Sequence, residues 1–337
     1  MIEARLWEAA PGGGAKCRLC SRRCSIPEGG RGFCRVREVR GGVLYALNYG
    51  YDGALSVDPV EKKPLYHFLP GTTTFSVGAP GCSFDCLGCQ NASLSRPDPD
   101  WPGVRGAEVA PERLARAALE TGAKSLSFTY SEPTVFYEYA RDTGEAALAM
   151  GLPSVWVTNG FMGAEALDGV SGHVRAMNVD LKGFTEAFYR EVTGGRLGPV
   201  KDTIVRAKGL GVWTEVTTLL IPTLNDGEDE LRALAGFLAE VDPMMPWHVS
   251  RFAPMRLQRH LRATGTDELE RARRIGRECG LRHVYLGNAR GPSYADTLCP
   301  GCGETLVARD GYSVLRNGLG ADGVCPSCGI RVPGVWG

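Results

Sequence analysis

The sequence predicts an α/β fold: a full or partial (β/α) barrel, preceded by a cysteine-rich module and followed by a zinc ribbon. Three observations carry this expectation. Between residues 72 and 286, short β-branched apolar runs alternate with helical runs, the pattern of parallel β/α units. Eleven of the 12 cysteines fall into three tight groups: Cys17, Cys20, Cys24 and Cys34; Cys82, Cys86 and Cys89; Cys299, Cys302, Cys325 and Cys328. The chain is 337 residues long and 43% hydrophobic, enough to bury a substantial core and unlike a disordered chain. The expected division is 1–60 for the N-terminal module, 61–295 for the barrel and 296–337 for the ribbon.

Taken in order, residues up to about 50 are rich in Gly and Arg and read as loops around the first cysteine group, with short strands expected over 43–58. Strands are then expected at 72–77, 125–129, 154–158, 173–181, 213–221, 247–252 and 283–286. Helices are expected at 111–121, 134–150, 200–211, 228–241 (capped by Asn225 or Asp226) and 266–279. Seven strands suit a barrel, full or partial, with a doubly wound open sheet as the rival. In either, the loops after the strands' C-terminal ends carry the chemistry. Cys279 stands alone in a helical stretch and reads as a bland thiol.

The formal net charge is zero, which argues against a nucleic-acid partner. No stretch approaches the ~18 apolar residues of a membrane span, and the first residues carry no secretory signal. A soluble cytoplasmic protein is expected. In that reducing setting clustered cysteines point to metal ligation rather than disulfides.

Cys82-Ser-Phe-Asp-Cys86-Leu-Gly-Cys89 follows the first barrel strand. A [4Fe–4S] cluster ordinarily takes four thiolates, one per iron. Three thiolates leave one iron free to bind a small molecule. The alternative is a zinc ion with three thiolates and one distant ligand.

Cys82 to Cys89 followed by Gln90-Asn91 resembles the signature of the radical-SAM superfamily, in its pyruvate formate-lyase activating-enzyme group. With Cys17-Arg-Leu-Cys20-Ser-Arg-Arg-Cys24, Asp58-Pro-Val-Glu-Lys-Lys-Pro-Leu-Tyr-His67, Pro246-Trp-His-Val-Ser-Arg-Phe252 and the end Gly334-Val-Trp336, the chain is similar to AmmeMemoRadiSam-type radical-SAM proteins over nearly its whole length. The resemblance implies a [4Fe–4S] cluster on Cys82, Cys86 and Cys89 with S-adenosylmethionine (SAM) chelated at the open iron. It implies reductive cleavage to a 5′-deoxyadenosyl radical that abstracts hydrogen from a substrate. It also implies an electron donor of flavodoxin or ferredoxin type, a substrate that is either a protein, as in glycyl-radical-enzyme activation, or a small molecule, and association with Memo and AMME-domain partners. Ser131 and Glu132 match the segment that binds the methionine amino group, Glu132 as its carboxylate. On physical grounds the same segment suits a helix start with Ser131 as N-cap. Thr158 and Asn159 match a turn near the adenosyl group, and Asp180 and Lys182 match an Asp-x-Lys pair. Asn178, Asp180 and Lys182 share one strand face, so they either meet a ligand or pair among themselves; Glu215 and Thr217 raise the same question. Departures from the activating enzymes are Gly88 for an aromatic residue, Val157 for an acid, Glu215 for an arginine and Ala253 for a histidine.

Cys299, Cys302, Cys325 and Cys328 form paired C-x2-C knuckles around a short hairpin, the pattern of structural zinc, with a rubredoxin-like iron or an auxiliary cluster as the remainder. Cys17, Cys20, Cys24 and Cys34 suit zinc or a second iron–sulfur cluster. His67, His173 and His260 read as cap, core or surface residues. His248 is a better candidate to face the cavity, and Arg251 suits an anion or an acidic partner. A rival function is a non-catalytic zinc and iron–sulfur scaffold or electron-transfer protein.

Overall fold

The computed structural model describes residues 1–51, 53–104, 108–291 and 293–337. Asp52, in the stretch expected as short strands, and residues 105–107 and 292, in the barrel span, lie outside these. The main sheet has eight strands: β1 (Ala54–Pro59), β2 (Thr73–Gly78), β3 (Ser125–Phe128), β4 (Ser154–Thr158), β5 (Val174–Asp180), β6 (Trp213–Leu220), β7 (Trp247–Arg251) and β8 (Val284–Gly287). They lie in the order β8-β7-β6-β5-β4-β3-β2-β1. Strands β2 to β8 run parallel, and β1 pairs antiparallel with β2. β8 and β1 are the sheet's two ends, so the barrel is partial. The seven parallel strands are those expected from the sequence. β1 lies within the stretch assigned to the N-terminal module yet belongs to this sheet.

The helices α1 (Pro111–Glu120), α2 (Tyr137–Ala149), α3 (Leu197–Gly209), α4 (Glu228–Val241) and α5 (Thr266–Glu278) connect the strands. A short helix, Ala164–Asp168, takes that place between β4 and β5. Each parallel strand is covered on both faces, which is why Ser-Leu-Ser-Phe of β3 is buried throughout. Pro111 opens α1, where its missing N–H costs nothing. The expected cap of α4 is not formed: Gly227 is its N-cap, with no side-chain bond. Asn225 instead accepts from Ile221 N at 2.6 Å and Asp226 from Thr223 N at 2.7 Å, so both side chains shape the loop before the helix. The cap of the turn before α2 is Glu132 rather than Ser131.

The N-terminal module carries two small antiparallel sheets of three short strands each. It is pinned to the barrel by a buried ion pair between Arg37 and Glu138, and by a bridge between Cys20 and Met162. The C-terminal module is the expected hairpin, Thr305–Asp310 against Ser313–Asn317. It docks through segment 60–71. Phe68 bridges to Val335, and the His67 ring packs 5.0 Å from Trp336 and 4.5 Å from His283. Arg309, from the hairpin, is wholly buried. Its guanidinium pairs with Glu61 at 3.4 Å and donates to Tyr66 O at 2.8 Å and Thr297 Oγ1 at 2.9 Å. Segment 60–71 in turn reaches β6, where Glu215 accepts from the backbone N–H groups of Tyr66 (3.0 Å) and His67 (2.8 Å). Among the described residues no helix is long and apolar enough to cross a membrane.

Removing one partner of a buried ion pair leaves the other charge stranded, at a cost of about 3–5 kcal/mol. Arg309→Leu is therefore expected to lower stability by about that amount in urea unfolding. A change below about 1 kcal/mol, the range of exposed pairs, would show that the ribbon is not held through this contact.

Candidate active site and metal centres

One cavity of about 530 Å³ gathers the C-terminal ends of β2 to β8. Its wall includes Cys82, Cys86 and Cys89 after β2, Tyr130 and Ser131 after β3, and Thr158 and Asn159 from the end of β4. Asp180 and Lys182 come from the end of β5, Thr217 from β6, His248 and Ser250 from β7, and Asn288 from beyond β8. Tyr312, at the turn of the C-terminal hairpin, closes one side.

The cysteine loop is built by close packing. Gly81, at φ 108°, turns the chain where a Cβ would lie 2.7 Å from Val36 and 3.1 Å from the Cys34 carbonyl, so glycine is required. Phe84 is buried against Phe161, ring centroids 5.1 Å apart. The N–H groups of Asp85 and Leu87 donate to Thr193 and Val192 carbonyls at 3.0 Å. Phe84 N lies 3.4 Å and Asn159 Nδ2 3.6 Å from Cys82 Sγ, donors that suit a thiolate. As a free thiol Cys82 is pushed well up by burial and by the nearby Glu132 charge; burial likewise holds Cys86 at about 11. Coordination to a metal would oppose both shifts.

Glu132 is not on the cavity wall. It is buried, and its oxygens accept from Thr134 N (3.0 Å), Thr134 Oγ1 (2.5 Å), Thr158 Oγ1 (2.7 Å) and Asn159 N (2.7 Å). A buried carboxylate must fill its lone pairs, and these four donors do so. Burial raises its pKa, and the four bonds oppose the rise. In this structure Glu132 therefore braces the Thr158–Asn159 turn, and its neighbours face the cavity. Gly160, at φ 70°, completes that turn against Val179 and Val200.

Asp180 and Lys182 pair with each other at 2.8 Å and both line the cavity, so pairing and a place at the site coexist. Asn178 Nδ2 donates to the carbonyl of Pro64 at 2.7 Å; Pro64 lines the cavity and Asn178 itself does not. Glu215 is also committed: besides the two N–H groups it accepts from Trp213 Nε1 at 2.9 Å and meets His248 Nε2 at 2.7 Å. Thr217 and His248 do face the cavity. Arg251 donates to Thr266 Oγ1 at 2.9 Å instead. His67 and His173 are core residues and His260 is exposed. Cys279 is half-buried, with its thiol 3.8 Å from Arg232 O.

Sequence reasoning missed Gln258. Its side chain is buried beside Gly88, where a Cβ would run into the amide, and both amide atoms lack a partner while the residue lines the cavity. The missing aromatic residue before Cys89 was the available signal: a glycine there implies that another element fills the space.

The terminal quartet can hold a metal ion. Sulfurs of Cys299 and Cys328 are 3.5 Å apart, those of Cys302 and Cys325 3.7 Å, and all four lie within 4.8 Å. A tetrahedral ion with bonds of about 2.3 Å sets sulfurs about 3.8 Å apart, so the fit is close. Among the described residues this is the one set of three or more His, Cys, Asp or Glu groups drawn together so tightly. The central triplet is not drawn in to single-ion spacing. Its three thiols all line the one cavity.

The model of the radical SAM superfamily matches residues 76–235, the span from β2 into α4. The chain is 40% identical over 334 residues to the uncharacterized protein MJ0808 of Methanocaldococcus jannaschii, covering 98% of this chain and 99% of that one. It is 21% identical to the pyruvate formate-lyase-activating enzyme of Clostridium pasteurianum over 58% of this chain and 85% of that one. Among solved structures, Streptococcus suis SuiB bound to the precursor peptide SuiA superposes with a TM-score of 0.50 at 15% identity, over 68% of this chain and 52% of that one, a likeness of fold. The chain belongs to the radical SAM superfamily.

Proposed function

We propose that this protein is a SAM-cleaving radical enzyme whose [4Fe–4S] cluster is held by Cys82, Cys86 and Cys89. The observation that carries the reading is the count at the cavity: three thiols line it and, among the described residues, no fourth. When bound, the cluster and SAM supply reductive cleavage of a C–S bond to methionine and a 5′-deoxyadenosyl radical that abstracts hydrogen from substrate.

The residues around the cavity prepare that chemistry. Asn159 and Phe84 N direct donors at the Cys82 sulfur, which favours the thiolate. Ser131, Thr158 and Asn159 offer polar groups to the amino-acid end of SAM, with Glu132 as the positioning residue behind them. The Asp180–Lys182 pair sits beside Cys86 and presents one charge of each sign to a zwitterion. The unpartnered Gln258 amide offers a donor and an acceptor side by side, which matches the edge of adenine. The partial barrel and the docked C-terminal hairpin keep water from the site. Lys62 and Tyr312 line the same cavity as the triplet and offer the hydrogen-donating substrate polar contacts there.

The terminal quartet serves as a structural zinc site that fixes Tyr312 and Arg309. The electron comes from a donor of flavodoxin or ferredoxin class. A protein substrate remains part of the proposal, as do Memo or AMME-domain partners. Glycyl-radical activation is the weaker form, because Glu215, standing where the activating enzymes carry arginine, is spent on closing the barrel.

Anaerobically reconstituted, reduced protein is expected to convert SAM to 5′-deoxyadenosine, and Cys82→Ala to abolish this. Absence of 5′-deoxyadenosine from the wild type, measured by chromatography, would leave a non-catalytic scaffold. Gln258→Leu removes both amide partners and is expected to weaken SAM binding roughly tenfold or more, the value of about 1–3 kcal/mol for such bonds. Unchanged affinity by equilibrium dialysis would show that the amide does not meet the cofactor.

A further inference from the structure

The N-terminal quartet carries the same number of thiols as the terminal one but is built differently. Cys17 and Cys20 are buried and Cys24 and Cys34 half-buried; Cys17 belongs to the same core as Leu19, Ile26 and Val39, and Cys24 packs against that core. Unlike the terminal quartet, these four are not drawn within single-ion spacing. Arg37, itself buried, points Nη1 at Cys17 Sγ from 3.7 Å, and backbone N–H groups of Arg22 and Val36 point at Cys20 and Cys34. The site also abuts the triplet. The Cys34 carbonyl packs on Gly81, and Arg22 Nε donates to Ser83 O at 2.6 Å. The guanidinium groups of Arg22 and Arg96 lie 3.3 Å and 4.6 Å from the centre of the Phe33 ring, and each acts electrostatically on sulfurs of both groups.

We propose that Cys17, Cys20, Cys24 and Cys34 hold a second [4Fe–4S] cluster, ligated by protein at every iron and set beside the triplet. A zinc ion would need the sulfurs as close together as those of the terminal quartet; a cubane needs one thiolate per iron, spread around a larger body. Donors aimed at the sulfurs favour the thiolates, and Arg37, whose charge is shared with Glu138, adds an N–H directed at Cys17. When bound, such a cluster supplies one-electron transfer, from a ferredoxin- or flavodoxin-class donor across the Arg22 and Arg96 layer to the triplet's cluster, with no bond made or broken. That relay role rests on the proposed function; the site itself does not.

The test uses the full chain with Cys82→Ala, Cys86→Ala and Cys89→Ala combined, reconstituted anaerobically with iron and sulfide. It is expected to retain about four iron and four sulfide per chain, with a reduced EPR signal that SAM leaves unchanged. An iron-free triple variant holding about two zinc ions, one at each quartet, would overturn the proposal while leaving the triplet's reading intact. Should the triple variant not fold, iron in the wild type decides. About eight per chain supports two cubanes, and about four, all responding to SAM, overturns the second. Failure of the proposed function reads differently: iron at the N-terminal quartet with no SAM-responsive signal in the wild type.

Discussion

On the proposed reading, a four-iron cluster offered three thiolates is one protein ligand short, and the cavity around Cys82, Cys86 and Cys89 leaves room for that ligand to come from outside. The loop between β2 and the turn at Asn91 is fixed from several sides so that three sulfurs face one space. Gly81 admits the close approach of the N-terminal module, Phe84 anchors the loop in the core, and Arg256 donates to Cys86 O and pairs with Asp85. What remains open is occupied by polar groups from seven strand ends, which is where parallel β/α folds place their chemistry.

The three cysteine groups divide the work by spacing. The terminal quartet is tight and closes a hairpin that a small module could hardly fold without a metal. That hairpin is also a part of the barrel's wall. Arg309 and Trp336 dock against segment 60–71, whose N–H groups are held by Glu215 inside the sheet. A metal bound at the periphery would thereby be linked by packed and hydrogen-bonded groups to His248 and Tyr312 at the cavity.

Much of this was legible in the sequence because it depends on local chemistry. Strands β2 to β8 announced themselves by β-branched apolar runs, and α4 was expected over the residues it occupies, 228–241. Cysteine spacing located all three groups. What escaped was decided by tertiary contacts. A strand was expected at β1, within 43–58, but as part of the N-terminal module, and only pairing with β2 assigns it to the main sheet. Ser131 and Glu132 exchange their expected places because the Thr158–Asn159 turn, 26 residues away, supplies donors to the carboxylate. Asn178 and Glu215 share their strand faces with the cavity-lining Asp180 and Thr217 but stand two residues nearer the strand starts, where segment 60–71 takes their side chains, a distinction invisible to strand periodicity. Gln258 sits in a loop with no motif, and its partner in space is a glycine.

The account rests most directly on an external ligand completing the cluster at Cys82, Cys86 and Cys89. The measurement that tests it is EPR of the anaerobic, dithionite-reduced protein with and without SAM. A signal that shifts in g-values when SAM is added is the predicted result. Spectra identical with and without SAM, or zinc in place of iron at the triplet, would contradict it.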